Sequence, residues 1–271
     1  MARMYRDLIY DVGMHDGSDT AYYLHRGFRV IGIEADAATA AICERRFASE
    51  ISAERLVILN IAIAEKDGTM PFYIFEGSSH LNSFCPPTEC RNLPHRVVEM
   101  PCRTFGAVLE RHGVPIYLKT DIEGKDGCCI DALTNDLPQF VSFERYDDAL
   151  FLSSLATLHG LGYDRFKLIN QHSFLPIEWP PTREAKEHDL WFRAAKSAGI
   201  PARAARKIVG PMIKRKLERT RIRNGWHFPL GSSGPFGDDL PGEWKRYDQI
   251  CEIISRTEQV WSDCHARLAG G

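Results

Sequence analysis

Residues 9 to 20 read IYDVGMHDGSDT, and the rest of the chain is interpreted outward from them. A β-prone run, Leu8 to Val12, breaks at Gly13, and a second glycine follows at Gly17 before a segment with helical spacing that ends near Gly27. A strand that turns through glycines into a helix is the opening unit of a parallel sheet wrapped by helices, and open sheets of that kind hold ligands at such a turn. The spacing Asp11-x-Gly13-x-x-x-Gly17 fits neither the dinucleotide pattern G-x-G-x-x-G nor a P-loop. His15 and Ser18 stand where glycines are needed, and no Gly-Lys-Ser/Thr occurs.

Charge points the same way. A loop carrying Asp11 and Asp16 repels a pyrophosphate and attracts a ligand with an ammonium and a sulfonium, which describes S-adenosylmethionine. Gly13 and Gly17 let the backbone turn tightly and come close to the methionine part of such a ligand. The next strand, Arg29 to Glu34, ends in an acid placed to accept both ribose hydroxyls.

The alternation continues for two-thirds of the chain. A helix is expected over residues 37 to 48 and a third strand over Leu56 to Ala62, followed by a hairpin opened by the Asp67-Gly68 turn. Further strands are expected at Pro115 to Thr120, Phe140 to Glu144 and Asp164 to Ile169, with helices near 104 to 112 and between the last two strands. Beyond Ser173 the character changes, and the tail from Trp244 to Leu268 reads as helical. This gives a ligand-binding domain over residues 1 to 173 and a C-terminal extension over residues 174 to 271, expected to form an acceptor-binding or lid region.

The segments DVGMHDGSDT, IGIEAD, IAIAEKDGTMPFYI and above all YLKTDIEG (residues 117 to 124) resemble, in order and spacing, the FkbM-type S-adenosylmethionine-dependent methyltransferases. The likeness spans about residues 7 to 145. It implies an α/β fold, a Rossmann-like class I methyltransferase sheet with an added hairpin, and O-methylation of a sugar, glycan or natural product. Carried over by position, Asp11, Gly13, His15, Asp16 and Gly17 fall on the cofactor loop, Glu34 on the ribose ligand, and Ile61 and Ala62 on the adenine wall. Lys119, Asp121 and Glu123 fall on the K-x-D-x-E-G element. Met14-His15-Asp16 departs from the family's more usual small residue, Asn and apolar residue.

Methyl transfer is an in-line displacement that needs positioning and, for a poorly nucleophilic hydroxyl, removal of its proton. Lys119, Asp121 and Glu123 alternate and are expected to project from one face of an extended segment. Asp121, which also borders the cofactor, is the expected base or substrate anchor, with Glu123 supporting and His80 the alternative base. The alternative to a catalytic role is a set of structural hydrogen bonds and an ion pair at a strand end. Magnesium held by Asp121 and Glu144 stays open, since no third ligand is evident. Nucleobase amino-group methyltransferases carry an Asn/Asp-Pro-Pro-aromatic element after this strand and cytosine-carbon enzymes a Pro-Cys nucleophile. Here the strand is followed by DIEG, and Pro101-Cys102 precedes it.

With 271 residues, 44% of them hydrophobic and 26% charged, the chain has the composition of a folded globular protein. No signal-like or membrane-spanning apolar run is present, so a cytoplasmic protein is expected. Eight cysteines are then expected as thiols; a zinc site is disfavoured because Cys85, Cys90 and Cys102 lack C-x-x-C spacing and Cys128 and Cys129 are adjacent. Residues 203 to 223 hold nine Lys or Arg and one Glu, a net of +8 against -2 for the chain. Such a run is a solvated face, a seat for an acidic acceptor, or the surface of an RNA-directed methyltransferase. The acceptor is expected to be a small molecule, sugar or glycan, with nucleic acid the weaker reading. The Gly- and aromatic-bearing residues 224 to 244 suit a lid or an anchored loop.

Overall fold

A computed structural model gives the structure of all residues except 1–2, 77–81, 83, 85–92, 146, 188–214, 216–217 and 271. The chain forms two compact units, Met1–Asp164 with Ala266–Gly271, and Arg165–His265.

In the first unit β1 (Leu8–Val12) is buried at all five positions, as expected of a parallel strand covered on both faces. α1 (Ser18–His25), β2 (Arg29–Ile33), α2 (Ala37–Arg46), α3 (Ala48–Ser52) and β3 (Leu56–Leu59) follow. β4 (Ala62–Ile63), β5 (Gly68–Phe75) and β6 (His95–Arg103) make a separate three-stranded sheet, and α4 (Phe105–His112), β7 (Tyr117–Thr120), α5 (Asp126–Ile130), β8 (Phe140–Glu144) and α6 (Asp148–Gly160) complete the run. Short polar side chains start the helices: Asp36 accepts the Ala38 N–H, Thr104 that of Ala107, and Asp147 those of Ala149 and Leu150. β9 (Tyr163–Asn170) crosses into the second unit, which holds the two-stranded ribbon of β10 (Ile222–Arg223) and β11 (Trp226–His227) and then α7 (Tyr247–Arg256). β12 (Ser262–Leu268) returns to the first, where Leu268 N–H bonds Gln139 O and Ala269 N–H bonds Gly162 O.

The main sheet has seven strands in the order β3-β2-β1-β7-β8-β12-β9, with β2/β3, β1/β2, β1/β7 and β7/β8 all parallel. This is the expected Rossmann-like α/β arrangement, with the added hairpin as β5 and β6. The strand order reverses at β1, whose neighbours are β2 and β7, so the crevice beyond their C-terminal ends is the place for a ligand.

Two elements differ from expectation. The strand expected over residues 56 to 62 is two strands in different sheets. At the break Asn60 sends its amide nitrogen to the carbonyls of Glu34 (2.8 Å) and Ala35 (2.9 Å), and Ile61 N–H turns back to Leu59 O (3.0 Å). The tail expected to be helical ends as the buried strand β12, which reads SDCHARL. Asp263 and His265 face the interior there, so the apolar alternation that announces a strand is missing.

Among the described residues no helix is long and apolar enough to cross a membrane. Cys43, Cys102, Cys128, Cys129, Cys251 and Cys264 are free thiols, and Cys102 lies fully buried in the hairpin core. Cys85, Cys90 and most of the basic run 203 to 223 lie outside the described residues.

His265 carries a cost. It is 2% exposed, neither ring nitrogen has a hydrogen-bond partner, and burial and then the Lys167 ammonium push its pKa down to about 3. The unfolded chain therefore takes up a proton near pH 6.5 that the folded chain refuses, so stability contributed by the neutral ring is lost as pH falls from about 6.5 toward 3. We predict that His265→Leu flattens that part of the stability-against-pH curve in denaturant titrations; an unchanged slope would exclude His265 as its source.

Candidate cofactor and catalytic site

The site grows from one register. Asp11 on β1 lies beside Lys119 on β7 and Gly32 on β2, and all three strands then end together. Lys119 Nζ lies 3.0 Å from Asp11 Oδ1 and donates to Gly13 O at 3.0 Å; Asp121 and Asp19 carboxylates lie at 3.9 and 4.0 Å. The second Asp11 oxygen accepts the Thr20 hydroxyl at 2.6 Å. Asp11 and Lys119 are 0% and 3% exposed. Burial opposes the Lys119 charge, but Asp11, Asp121 and Asp19 outweigh it and hold its pKa well above the usual lysine range. Lys119 is thus a fixed cation, and neither it nor Asp11 is presented to a ligand.

Gly13 is required by the protein itself. Its φ is 79°, and a Cβ there would lie 1.9 Å from the Asp121 carbonyl oxygen. Its N–H and that of Met14 both reach Ile33 O, at 2.9 and 3.1 Å, which draws the loop across the end of β2. At Gly17, φ 74°, a Cβ would lie 2.5 Å from the Phe47 ring. Both glycines were expected to make room for the cofactor; what fills that room is the Asp121 backbone and Phe47.

Glu34, next after β2, is the hub on the other side. Its carboxylate accepts the N–H of His15 at 2.9 Å and of Asp36 at 2.8 Å, which ties the loop to the start of α2. Burial is the main cause that pushes its pKa up to about 7, against the lowering effect of the two N–H bonds. His15 therefore takes part through its backbone: its φ is 47°, its ring lies at the surface, and its carbonyl accepts the Cys43 thiol. Asp16 accepts the Ser18 N–H at 2.9 Å and so shapes the entry to α1. Ala62 is buried in the apolar cluster of Ala64, Phe72, Met100 and Cys102, against which Ala35, the neighbour of Glu34, also packs.

Lys119, Asp121 and Glu123 do not share a face. β7 stops at Thr120, Glu123 has φ 53°, and the chain turns at once into α5. The residue that makes this turn is Asp126, absent from the sequence-derived candidates. Its Oδ1 accepts the Thr120 hydroxyl at 2.8 Å and the Ile122 N–H at 3.3 Å. Burial, then the Asp121 charge, raises its pKa to about 6. An acid two residues past Gly124 at a helix start was the available signal, as were Asp19 and Thr20 in the first turn of α1. Asp121 itself donates its N–H to Val12 O at 3.0 Å and keeps its side chain 32% exposed, so its carboxylate can meet a ligand. Beside the turn lies a shallow indentation lined by Gly124, Asp126, Phe143, Glu144, Asp147 and Phe151. Among the described residues no three His, Cys, Asp or Glu side chains are grouped to hold a metal ion, and His80 lies outside those residues.

No family model and no curated protein matches the chain. Solved structures with related chain paths include the FkbM methyltransferase of Methylobacillus flagellatus (17% identity, TM-score 0.39, 59% of this chain and 38% of that one). Others are a Geobacter sulfurreducens S-adenosylmethionine-dependent methyltransferase in complex with S-adenosylhomocysteine (10%, 0.33, 98% and 84%) and a Haemonchus contortus phosphoethanolamine-type N-methyltransferase (9%, 0.37, 99% and 50%). The chain spans little more than a third of the Methylobacillus protein.

Removing the Lys119 charge leaves buried Asp11 uncompensated, which costs about 3–5 kcal/mol in comparable settings. Lys119→Met is predicted to destabilise the protein on that scale in urea titrations, and Asp11→Asn in the same chain to restore part of the loss. A mild effect of Lys119→Met, or no rescue, would show that the ion pair does not hold this edge.

Proposed function

We propose that the chain binds S-adenosylmethionine at the C-terminal edge of β1, β2 and β7 and transfers its methyl group to a hydroxyl oxygen of a small-molecule, sugar or glycan acceptor. The observation that carries this reading is the presence of two strand-end acids, Glu34 after β2 and the part-exposed Asp121 after β7, beside a loop without a phosphate cradle. A carboxylate oxygen has two acceptor sites, and each Glu34 oxygen uses one on a backbone N–H. The remaining two suit a ribose diol. The carboxylates around Lys119 exceed its single charge, so the mouth favours a cationic ligand.

When bound, S-adenosylmethionine supplies an electrophilic methyl group and a neutral sulfur leaving group. The chain's part is to hold the acceptor oxygen in line with that methyl and to remove its proton. Asp121 accepts the hydroxyl proton at its carboxylate, and Asp126 fixes the turn that presents it. The Lys119 ammonium lies 3.9 Å from the Asp121 carboxylate.

Calorimetric titration with S-adenosylmethionine and S-adenosylhomocysteine, with NAD and ATP as controls, tests the cofactor. Hydroxyl donors favour ionised Glu34, whose pKa in the free protein is about 7. Affinity should therefore fall as pH drops below about 7, and binding near that pH should release protons, seen as a dependence of the heat on buffer. Glu34→Gln should weaken binding and abolish both effects. Binding of NAD or ATP alone, or pH-independent affinity, would reject the assignment. Asp121→Asn is predicted to lower kcat by about 10²–10⁴ with little change in cofactor affinity; full turnover would remove Asp121 as the base.

A further inference from the structure

The basic run picked out by the sequence ends in described structure, at Arg221 and Arg223 in the second unit. The ladder of β10 and β11 pairs Arg223 with Trp226 and extends to Arg221, whose carbonyl accepts the Phe228 N–H at 3.1 Å. Asn224 and Gly225, with φ 50° and 76°, close the two-residue turn that such a ribbon requires. The two arginines are two apart on this ribbon, and both reach the same turn after β9. Arg221 Nε donates to His172 O at 3.2 Å, and Arg223 Nη2 lies 3.5 Å from Phe174 O. The Arg221 guanidinium lies over the Phe174 ring at 5.8 Å, and Phe174 is in turn locked edge-on to the fully buried Phe228.

Among the described residues, negative charge is missing from this arrangement. Arg221 is only 8% exposed, yet among the described residues no carboxylate is in ion-pair contact with either guanidinium. Glu218 acts on Arg221 only through space, and burial still pulls the Arg221 pKa down. Arg223 Nε is buried without an acceptor, and so is the amide nitrogen of Gln171, a residue 2% exposed at the start of the same turn. A buried guanidinium beside a half-buried one, with no counter-charge among the described residues, is costly, as are unfilled donors. Guanidinium forks held in place by backbone carbonyls and an aromatic ring are, in contrast, well prepared for a doubly charged tetrahedral oxyanion.

We infer that Arg221 and Arg223 form a phosphate-binding site in the second unit, which takes the phosphoryl group of a phosphorylated small molecule. The site is built from residues of the second unit and does not depend on the methyl-transfer reading.

The test is titration of the full chain at low ionic strength with inorganic phosphate and with a nucleoside diphosphate, by calorimetry and thermal shift. Expected are saturable binding, a raised Tm, and loss of at least about tenfold in affinity in Arg223→Gln. The exposed neighbour Arg219, changed to Gln, should keep wild-type affinity. Among the described residues the Arg223 side chain hydrogen-bonds only to Phe174 O, at long range, so its variant is expected to fold; Arg221→Gln is read only if its Tm without phosphate is normal. Binding of S-adenosylhomocysteine, measured in parallel, should be the same in all variants. No saturable binding by the wild type, or equal losses in Arg219→Gln and Arg223→Gln, would overturn the site. So would binding of a short single-stranded RNA that phosphate and the diphosphate do not displace, which would make this a nucleic-acid surface instead.

Discussion

Lys119 stands where β1, β7, the 13–17 loop and the first turn of α1 converge, with its ammonium within 4.0 Å of Asp11, Asp19 and Asp121 and bonded to Gly13 O. An ion pair this deep contributes little net stability against an apolar equivalent, because both charges are stripped of water. Its value is geometric. Asp11 is fixed by Lys119 and Thr20 together, Gly13 is drawn over residue 121, and Met14 follows to Ile33, so the loop has one path rather than several. The same ammonium, surrounded by more carboxylate than it can neutralise, leaves the crevice negative beside Asp121.

The acids of the site thus divide by burial. Asp11, Asp19 and Asp126 are buried and hold backbone or partner side chains. Asp121 reaches the surface, and Glu34, tied by two N–H groups, is poised near neutrality. A carboxyl that changes ionisation around pH 7 responds to a hydroxyl-bearing ligand in a way that a fully ionised one does not. The turn after β7 supplies the rest: Asp126 ends the strand by accepting the Thr120 hydroxyl and the Ile122 N–H, and Asp121 is exposed because the chain leaves the sheet there.

The second unit shows a different economy of polar groups. Lys167 is buried, but its ammonium donates to Leu240 O at 2.9 Å and lies over the Trp244 ring. Phe228 and Trp244, from the glycine-rich stretch expected to serve as a lid or an anchored loop, are engaged in the packing of their own unit. Against these satisfied groups, the neutral His265 in β12 and Arg223 Nε on β10 are exceptions, and the latter lies at the end of the most basic run in the chain.

Several features were legible because they are local. The LIYDV and RVIGI runs are buried on both faces and declare themselves as parallel strands, and the capping residues Asp36, Thr104 and Asp147 mark the helices they start. The turn at Gly13 and the acid Glu34 after β2 were legible from the spacing between one strand end and the next. The roles of Lys119, Glu123 and Asp126 were not, since alternation along a strand says nothing about where the strand stops, and the stop is set by a hydrogen bond from Thr120 to a residue six positions on. β12 was missed for a related reason: Asp263 and His265 hide a buried strand whose place in the sheet only its neighbours confer. By itself, then, the sequence determined the parallel α/β sheet, the glycine turn and the acid after β2, all properties of short segments. The tertiary structure alone decided which carboxylates are buried partners of Lys119 and which one reaches the surface, because burial and charge pairing depend on residues brought together from distant parts of the chain.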